Sequence, residues 1–297
     1  MLKNNLIQFF QDEATEKHEL SCAMLRIDLL HPVVSGNKIF KLNHYLKEAI
    51  SKKKRGIVTF GGYHSNHLVA SAYAAKQSNL ESIGIVRGEK PNYLSHTLND
   101  CISYEMELKF STRQEFDSIN IENIKNAYPD HLVIQQGGYG KPGMLGAMDI
   151  LRIDGTEKFD FIMAACGTGT MGAGLISAAS LNQKIILLSV LKDNFSILDE
   201  VNALIDDAGI NPSAFEILFD FHLGGYAKQH QQLFECMNTF YGKHQIPTDF
   251  VYTGKMIYGF YQLAASNFFP KKSKILLVHS GGLQGNRSLT ENQLIFC

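Results

Sequence analysis

The sequence predicts an α/β fold built from open, mostly parallel sheets with flanking helices. Three observations support this fold class: short apolar runs typical of buried parallel strands, segments of helical periodicity between most of these runs, and glycines directly after several of them. Such alternation is the pattern of a parallel sheet covered by helices on both faces. With 297 residues, 45% of them hydrophobic, the chain is long enough to form two compact units of this kind.

Six apolar runs are predicted to form the buried strands. They are GIVTF from Gly56, SIGIV from Ser82, HLVIQ from His131, FDFIMAAC from Phe159, KIILLSV from Lys184 and KILLVHS from Lys274. Segments of helical period are predicted to form the helices, over residues 41–54, 66–79, 95–108, 171–181, 197–208, 228–241 and 254–267.

Glycine clusters follow four of the predicted strands, at residues 61–62, 137–138, 167–169 and 281–282. In open α/β sheets ligands bind at the carboxyl ends of the strands, and glycine lets the backbone approach them closely. The four turns together therefore indicate one shared crevice. For any single glycine pair, a tight turn that binds nothing is the favoured interpretation.

The charge balance argues against nucleic acid and membranes as partners. The chain has 28 basic and 29 acidic residues, so no overall field attracts it to polyanions. The N-terminus has a short apolar patch followed by acids, which is the wrong order for a signal peptide. No stretch approaches the run of about 20 apolar residues that a membrane span needs. We therefore expect a cytoplasmic protein whose partner is a small molecule.

The five cysteines give no support for a disulfide framework or a zinc site. They are odd in number, widely spaced and contain no C-x-x-C pair, so we expect reduced packing residues and no metal. The cysteines are Cys22, Cys101, Cys166, Cys236 and Cys297.

Two lysines, Lys38 and Lys41, lie where a loop leads into a predicted helix. A lysine that reacts as an amine must lose a proton from a reference pKa of about 10.4, so burial or a neighbouring cation assists it. Lys41 could supply that cation or bind an anion. On spacing alone, two solvated lysines on a helix face remain the alternative.

Two loops that join a predicted strand to a predicted helix could bind anions. Residues 166–172, CGTGTMG, offer helix N-terminal amides and two threonine hydroxyls, although such a loop could also bind a nucleotide or nothing. Residues 61–67, GGYHSNH, offer Ser65 as an N-cap with free amides behind it. Helix capping alone is the alternative for Ser65.

Four motifs taken together resemble one enzyme family. GNKxxKL, GGxxSNH, VYTGK and HSGG occur in the order and at the separations found in the 1-aminocyclopropane-1-carboxylate deaminase and D-cysteine desulfhydrase family. Those enzymes belong to the tryptophan synthase β-like, fold type II group that uses pyridoxal 5'-phosphate. The resemblance covers essentially the whole chain from Arg26 onward. It implies a large cofactor domain of residues 1–42 and 147–297, a small inserted domain of residues 43–146, and a homodimer.

The resemblance also implies residue roles. The lysine after Gly-Asn forms the Schiff base with the cofactor in that family, which assigns this role to Lys38. Further cofactor contacts are implied for Asn37, Lys41, Asn66, Gly167, Thr168, Gly169, Thr170 and Ser280. Substrate contacts are implied for Ser65, Asn66, His67, Tyr226 and Tyr252. Lys38, Ser65 and Tyr252 are the implied catalytic residues, and a packing role is the alternative for Tyr252.

Three positions bear on the substrate. Ring-opening deaminases of the family typically carry glutamate, leucine and glutamine where this chain has Thr253, Ser280 and His67, so the chain follows the desulfhydrase pattern. We expect a D-cysteine desulfhydrase that releases pyruvate, ammonia and sulfide. The alternatives are a 1-aminocyclopropane-1-carboxylate deaminase, a non-catalytic cofactor-binding protein and a nucleotide-binding α/β protein. Residues 135–143 depart from the family pattern, which bears on the side chain that the pocket accepts.

Overall fold

The computed structural model of the chain describes residues 6–297. It contains a six-stranded and a four-stranded sheet, both open, with helices against their faces. The predicted α/β fold with two mostly parallel sheets is confirmed. The interpretation of the N-terminus as lacking a signal peptide rests partly on residues 1–5, which lie outside the described residues.

Ten strands are named here in chain order. They are β1 (Ile7–Phe10), β2 (Ser21–Leu25), β3 (Gly56–Gly61), β4 (Glu81–Arg87), β5 (Glu107–Ser111), β6 (His131–Ile134), β7 (Phe161–Cys166), β8 (Lys184–Ser189), β9 (Phe215–Leu218) and β10 (Lys274–Val278).

The α-helices are named in the same way. They are α1 (Glu13–Lys17), α2 (Asn37–Ser51), α3 (Asn66–Gln77), α4 (His96–Ser103), α5 (Arg113–Asp117), α6 (Ile121–Ala127), α7 (Lys141–Met148), α8 (Thr170–Ala178), α9 (Ile197–Ala208), α10 (Gln231–His244) and α11 (Thr253–Ala265).

The strand order brings distant parts of the sequence together. The large sheet has the order β1-β2-β10-β7-β8-β9, in which only β1 is antiparallel to its neighbour. The small sheet has the order β5-β4-β3-β6 and is wholly parallel. Because β10 lies between β2 and β7, the end of the chain is built into the centre of the large sheet. The small sheet falls within the predicted small domain, whose limits stay a prediction.

Helix α9 illustrates why the periodic segments fold as predicted. Its buried residues Ile197, Val201, Leu204 and Ile205 recur with helical spacing and pack into the core on one face of the large sheet. Gly209 ends the helix with a φ of +68°, a conformation that glycine adopts without steric cost.

Four strands, four helices of eight residues or fewer and some helix ends differ from the sequence prediction. Helices α1, α5, α6 and α7 were not predicted, and α2 begins four residues before its predicted start. Strands β1, β2, β5 and β9 were not predicted. The predicted helix over 95–108 ends at Ser103, and its last two residues lie in β5. Strand β5 is short, half-buried and at the sheet edge, so it lacks the continuous apolar run that identifies buried strands.

No helix within residues 6–297 is long and apolar enough to cross a bilayer. The five cysteines are free thiols, and Cys22, Cys101 and Cys166 are buried as expected for packing residues. Cys297 is exposed, so the packing interpretation is wrong for this residue.

Candidate functional site

A cavity of about 1040 Å³ lies at the carboxyl ends of strands from both sheets. Residues that directly follow β3, β6, β7 and β10 line it, so the four glycine clusters do meet at one crevice. The predicted site residues that line the cavity are Asn37, Lys38, Lys41, Ser65, Asn66, His67, Gly167, Thr168, Gly169, Tyr226, Tyr252 and Ser280. Of the predicted set, Thr170 alone does not line it.

The start of α2 places the two lysines. Gly36 has a φ of +62°, and a Cβ there would lie 1.9 Å from the Ser280 carbonyl oxygen, so only glycine fits. The backbone amide of Asn37 donates to the same carbonyl over 3.2 Å. The end of β10 thus fixes the first turn of α2, which points Lys38 towards the cavity.

Lys38 has the environment of an amine that can lose its proton. Its Nζ donates to Asn37 Oδ1 over 2.7 Å. Desolvation lowers the pKa of Lys38 to about 8, although the charge of Asp249 opposes this shift. About a tenth of the amine is therefore uncharged at pH 7, far more than for a solvated lysine.

Lys41 is a buried cation rather than a solvated one. Its side chain is 4% exposed, and its Nζ donates to the Gly137 carbonyl over 3.2 Å. Burial first, and then the charge of Lys38, lower the pKa of Lys41 to about 7. The alternative of two solvated lysines on a helix face is therefore wrong.

The loop after β7 presents backbone amides and threonine hydroxyls next to Lys41. It ends at Gly169, whose φ is +73°, and leads into α8, so the first amides of α8 are free of intrahelical bonds. The Thr168 and Thr170 hydroxyls lie 3.4 Å apart. Because a Cβ on Gly137 would come within 2.9 Å of Thr168, the carbonyl that binds Lys41 adjoins this loop.

The loop after β3 contributes Ser65, Asn66 and His67. Ser65 Oγ accepts from the amide of Leu68 over 3.3 Å, so its capping role is present. Asn66 Oδ1 is buried and finds no hydrogen-bond partner within residues 6–297. An unpaired buried amide oxygen in a cavity wall is the arrangement expected where a ligand completes the bonding.

His67 is held as a neutral ring. The Thr59 hydroxyl donates to the Ile134 carbonyl over 2.8 Å, so Thr59 Oγ1 must accept from His67 Nε2, which is 2.8 Å away. Nδ1 is then a lone-pair acceptor, and it too is buried without a partner in the described part of the chain. Burial and the charges of Lys38 and Lys41 hold the pKa of His67 well below its usual value.

Tyr252 lies at the start of α11 and packs against the loop that follows β7. A Cβ on Gly167 would lie 3.2 Å from its ring, and the ring of Tyr226 meets it edge to face at a centroid distance of 6.0 Å. Burial, together with Tyr226 and the charge of Asp249, raises the pKa of Tyr252 well above its ordinary value. The phenol therefore keeps its proton.

Asp249 is a site residue that the sequence analysis missed. It is fully buried, and its carboxylate accepts from the amides of Val251, Tyr252 and Thr253 at 3.0, 2.8 and 2.9 Å. These bonds order the first turn of α11 and so position Tyr252. Asp249 lies five residues before the predicted helix start at residue 254, which is too far for the N-cap pattern, so no local sequence signal identifies it.

Ser280 is oriented by its neighbour His279. The His279 Nδ1 accepts from the Gly281 amide at 3.2 Å, and its Nε2 lies 2.8 Å from the Pro247 carbonyl, which fixes the turn after β10. No group of three or more potential metal-binding side chains occurs among residues 6–297.

Several known proteins are similar to this chain over most of its length. The chain matches no family model. A Pyrococcus horikoshii protein provisionally named 1-aminocyclopropane-1-carboxylate deaminase is 29% identical over 275 residues, which cover 88% of this chain and 84% of that protein. The mitochondrial bifunctional D-cysteine desulfhydrase/1-aminocyclopropane-1-carboxylate deaminase of Arabidopsis thaliana is 29% identical over 290 residues, with coverages of 88% and 72%.

A solved structure, described as a homologue of the same deaminase, superposes with a TM-score of 0.80 at 27% identity and covers 94% of this chain and 90% of that one. The homologues of this chain thus carry the names 1-aminocyclopropane-1-carboxylate deaminase and D-cysteine desulfhydrase, and the similarity extends over most of its length. The predicted resemblance and the tryptophan synthase β-like, fold type II architecture are thereby confirmed. The roles of individual residues in this chain stay predictions.

Proposed function

We propose that this protein is a pyridoxal-phosphate-dependent D-cysteine desulfhydrase, which converts D-cysteine and water to pyruvate, ammonia and hydrogen sulfide. The observation that carries the proposal is the juxtaposition of Lys38 with an anion site in one cavity. Lys38 supplies an amine with a lowered pKa. Lys41 and the amides at the start of α8 supply the positive end of that site.

The residues present fit the cofactor. Lys38 would hold its aldehyde carbon covalently, and Lys41 with the loop at 167–170 would hold its phosphate. Asn66, whose buried Oδ1 lacks a partner in the described residues, and Ser280 would contact the ring. When bound, the pyridine ring withdraws electron density from the α-carbon of an attached amino acid.

The substrate carboxylate is assigned to the start of α3. Free amides there, together with the Ser65 hydroxyl, form a second site for an anion beside Lys38. His67 is neutral, so it offers the substrate a hydrogen-bond acceptor without adding charge. An amino acid bound in this way would share the cavity with Lys38.

Proton transfer is divided between Lys38 and Tyr252. Lys38, in its uncharged form, takes the proton from the α-carbon. Tyr252 retains its proton and therefore suits a role as donor to the departing sulfur. The uncharged fraction of Lys38 and the protonated phenol of Tyr252 supply the base and the acid that an elimination requires.

Two of the three positions that favour the desulfhydrase line the cavity, namely His67 and Ser280. Thr253 is fully buried behind the wall, and its hydroxyl has no partner within residues 6–297. A neutral serine also leaves the pyridine nitrogen free of the strong charge that a carboxylate would impose, which suits elimination.

The test is a product assay of purified protein loaded with the cofactor. D-cysteine should yield sulfide and pyruvate, and the Lys38→Ala variant should yield neither. 1-aminocyclopropane-1-carboxylate is the alternative substrate because relatives carry that name. Formation of α-ketobutyrate from it, without sulfide from D-cysteine, would assign the ring-opening activity instead. Borohydride reduction and peptide mass spectrometry locate the cofactor independently of turnover.

A further inference from the structure

Lys255 is a buried lysine that the proposed chemistry does not use. It belongs to the VYTGK motif and lies in the first turn of α11, yet its side chain is 1% exposed and does not line the cavity. Its Nζ donates to the carbonyl oxygen of Gly225 over 2.5 Å. Asp249 supplies the opposing buried charge. Burying an ammonium group is costly, so this contact calls for an explanation beyond packing.

Gly225 belongs to the loop of residues 222–228, which lies between β9 and α10. Leu223, Gly224, Gly225 and Ala227 all have φ between +47° and +110°, and this region is unfavourable for the two residues that are not glycine. Within the loop, the Gly225 amide donates to His222 and the Lys228 amide donates to Gly225, over 3.1 and 3.3 Å. These local bonds shape the turn but do not attach it to the rest of the protein.

The bond from Lys255 supplies an attachment. It joins the Gly225 carbonyl to α11, the helix that begins beside Tyr252. Tyr226 is the next residue in the loop, and both it and Ala227 line the cavity. The edge-to-face contact of Tyr226 with Tyr252 therefore joins the same two elements that the lysine bridges.

We propose that Lys255 is a positioning residue: its ammonium group fastens the 222–228 loop to α11 and so places Tyr226 beside Tyr252 in the cavity wall. A bond from a charged donor to one carbonyl sets the position of the loop more closely than apolar packing does, because it depends steeply on distance and angle. The structural part of this inference is independent of which substrate the cavity takes. Its kinetic part rests on the proposed function.

Hydrogen–deuterium exchange of the cofactor-loaded protein, without substrate, tests the structural part. In Lys255→Met, which keeps the side-chain length but removes the donor, amide exchange in residues 224–228 should rise roughly tenfold, as expected for losing a hydrogen bond to a charged group. Exchange in β10 should stay unchanged. Lys243→Met, which changes an exposed lysine of α10, is the matched control and should leave the loop as in wild type.

Lys255→Arg keeps a cationic donor and should restore most of the loop protection. Unchanged loop exchange in Lys255→Met would overturn the proposal. Loss of amide protection in every part of the protein, in both Lys255→Met and Lys255→Arg, would also overturn the proposal. Lys255 would then stabilise the whole fold and not the 222–228 loop in particular.

A double-mutant cycle tests the kinetic part with the amino acid that the enzyme cleaves. If Lys255 acts through Tyr226, Lys255→Met should raise KM, and adding it to Tyr226→Ala should cause little further change. Additive effects would contradict the assignment. Absence of turnover with any amino acid would count against the proposed function, whereas the exchange result would still stand.

Discussion

Gly36 and Ser280 are in direct backbone contact, although they lie near opposite ends of the sequence. The amide of Asn37 donates to the Ser280 carbonyl, and no Cβ could be placed on Gly36 without overlapping it. Gly36→Ala should therefore lower the free energy of unfolding by about 3 kcal/mol or more, since the backbone at both sites must shift. Gly242→Ala, in an open position on α10, should instead stabilise the protein by about 0.5 kcal/mol. Chemical denaturation measures both, and equal effects would contradict the predicted contact.

Lys41 should distinguish a phosphorylated ligand from its unphosphorylated form. Lys41→Met should weaken binding of pyridoxal 5'-phosphate about 30-fold, the equivalent of one charge-assisted hydrogen bond of ~2 kcal/mol. Binding of pyridoxal, which lacks the phosphate, should change little. Lys47→Met alters an exposed lysine of the same helix and should affect neither ligand. Binding is measured by spectroscopic titration. If the affinities for both ligands fall equally, Lys41 does not contact the phosphate.

Tyr252→Phe removes only the phenolic oxygen and its proton. We expect kcat to fall about 100-fold, as for loss of a general acid, with cofactor binding unchanged. Tyr258→Phe, in the same helix but outside the cavity lining, should retain wild-type turnover. Steady-state assays measure kcat for both variants. A normal kcat for Tyr252→Phe would show that Tyr252 has only a packing role.

Asp249→Ala should destabilise the protein strongly, because three backbone amides would lose their acceptor inside the protein. A loss of about 3 kcal/mol is expected from denaturation midpoints. Asp199 lies in the first turn of α9 but is exposed, and Asp199→Ala should cost less than about 1 kcal/mol. If both variants lower the free energy of unfolding by the same amount, the hydrogen bonds from the buried amides to Asp249 contribute little to stability.

Stability of the cofactor-free protein should depend on pH through Lys38. The pKa of Lys38 falls from 10.5 to about 8 on folding, so between these values the unfolded chain binds more protons and stability rises with pH. Lys38→Met lacks this effect. Below pH 8 the Lys38→Met variant should have a higher free energy of unfolding than the wild type. The difference in free energy between the two proteins should decrease as the pH approaches 10.5. Urea midpoints across this range measure the difference, and a constant difference would contradict the shifted pKa.

The parts of the fold that the sequence predicts best are those with continuous apolar runs. FIMAAC of β7 is almost entirely buried, and its pattern admits few interpretations. Strand β9, FEIL, is half-buried at a sheet edge and has no comparable pattern. Strand β9 has a single neighbour, β8, and stays half-exposed, so its sequence does not need the continuous apolar run that marks a buried central strand.

The candidate site divides in the same way. Lys38 and Ser65 lie in motifs whose order along the chain is informative, and the structure brings them to one cavity. Asp249 and Lys255 are charged residues near a helix start, which local patterns interpret as solvated caps. Their burial depends on β10 and on the 222–228 loop, so it follows from tertiary packing alone.

The insertion of β10 between β2 and β7 has a consequence for biosynthesis. The first turn of α2 is held by Ser280, so a growing polypeptide carries both lysines during the synthesis of residues 42–279, before their supporting strand is complete. The wall of the cavity around the two lysines is therefore complete only after β10 has been made. A product that stopped before residue 274 would carry the reactive amine without the wall that orients it.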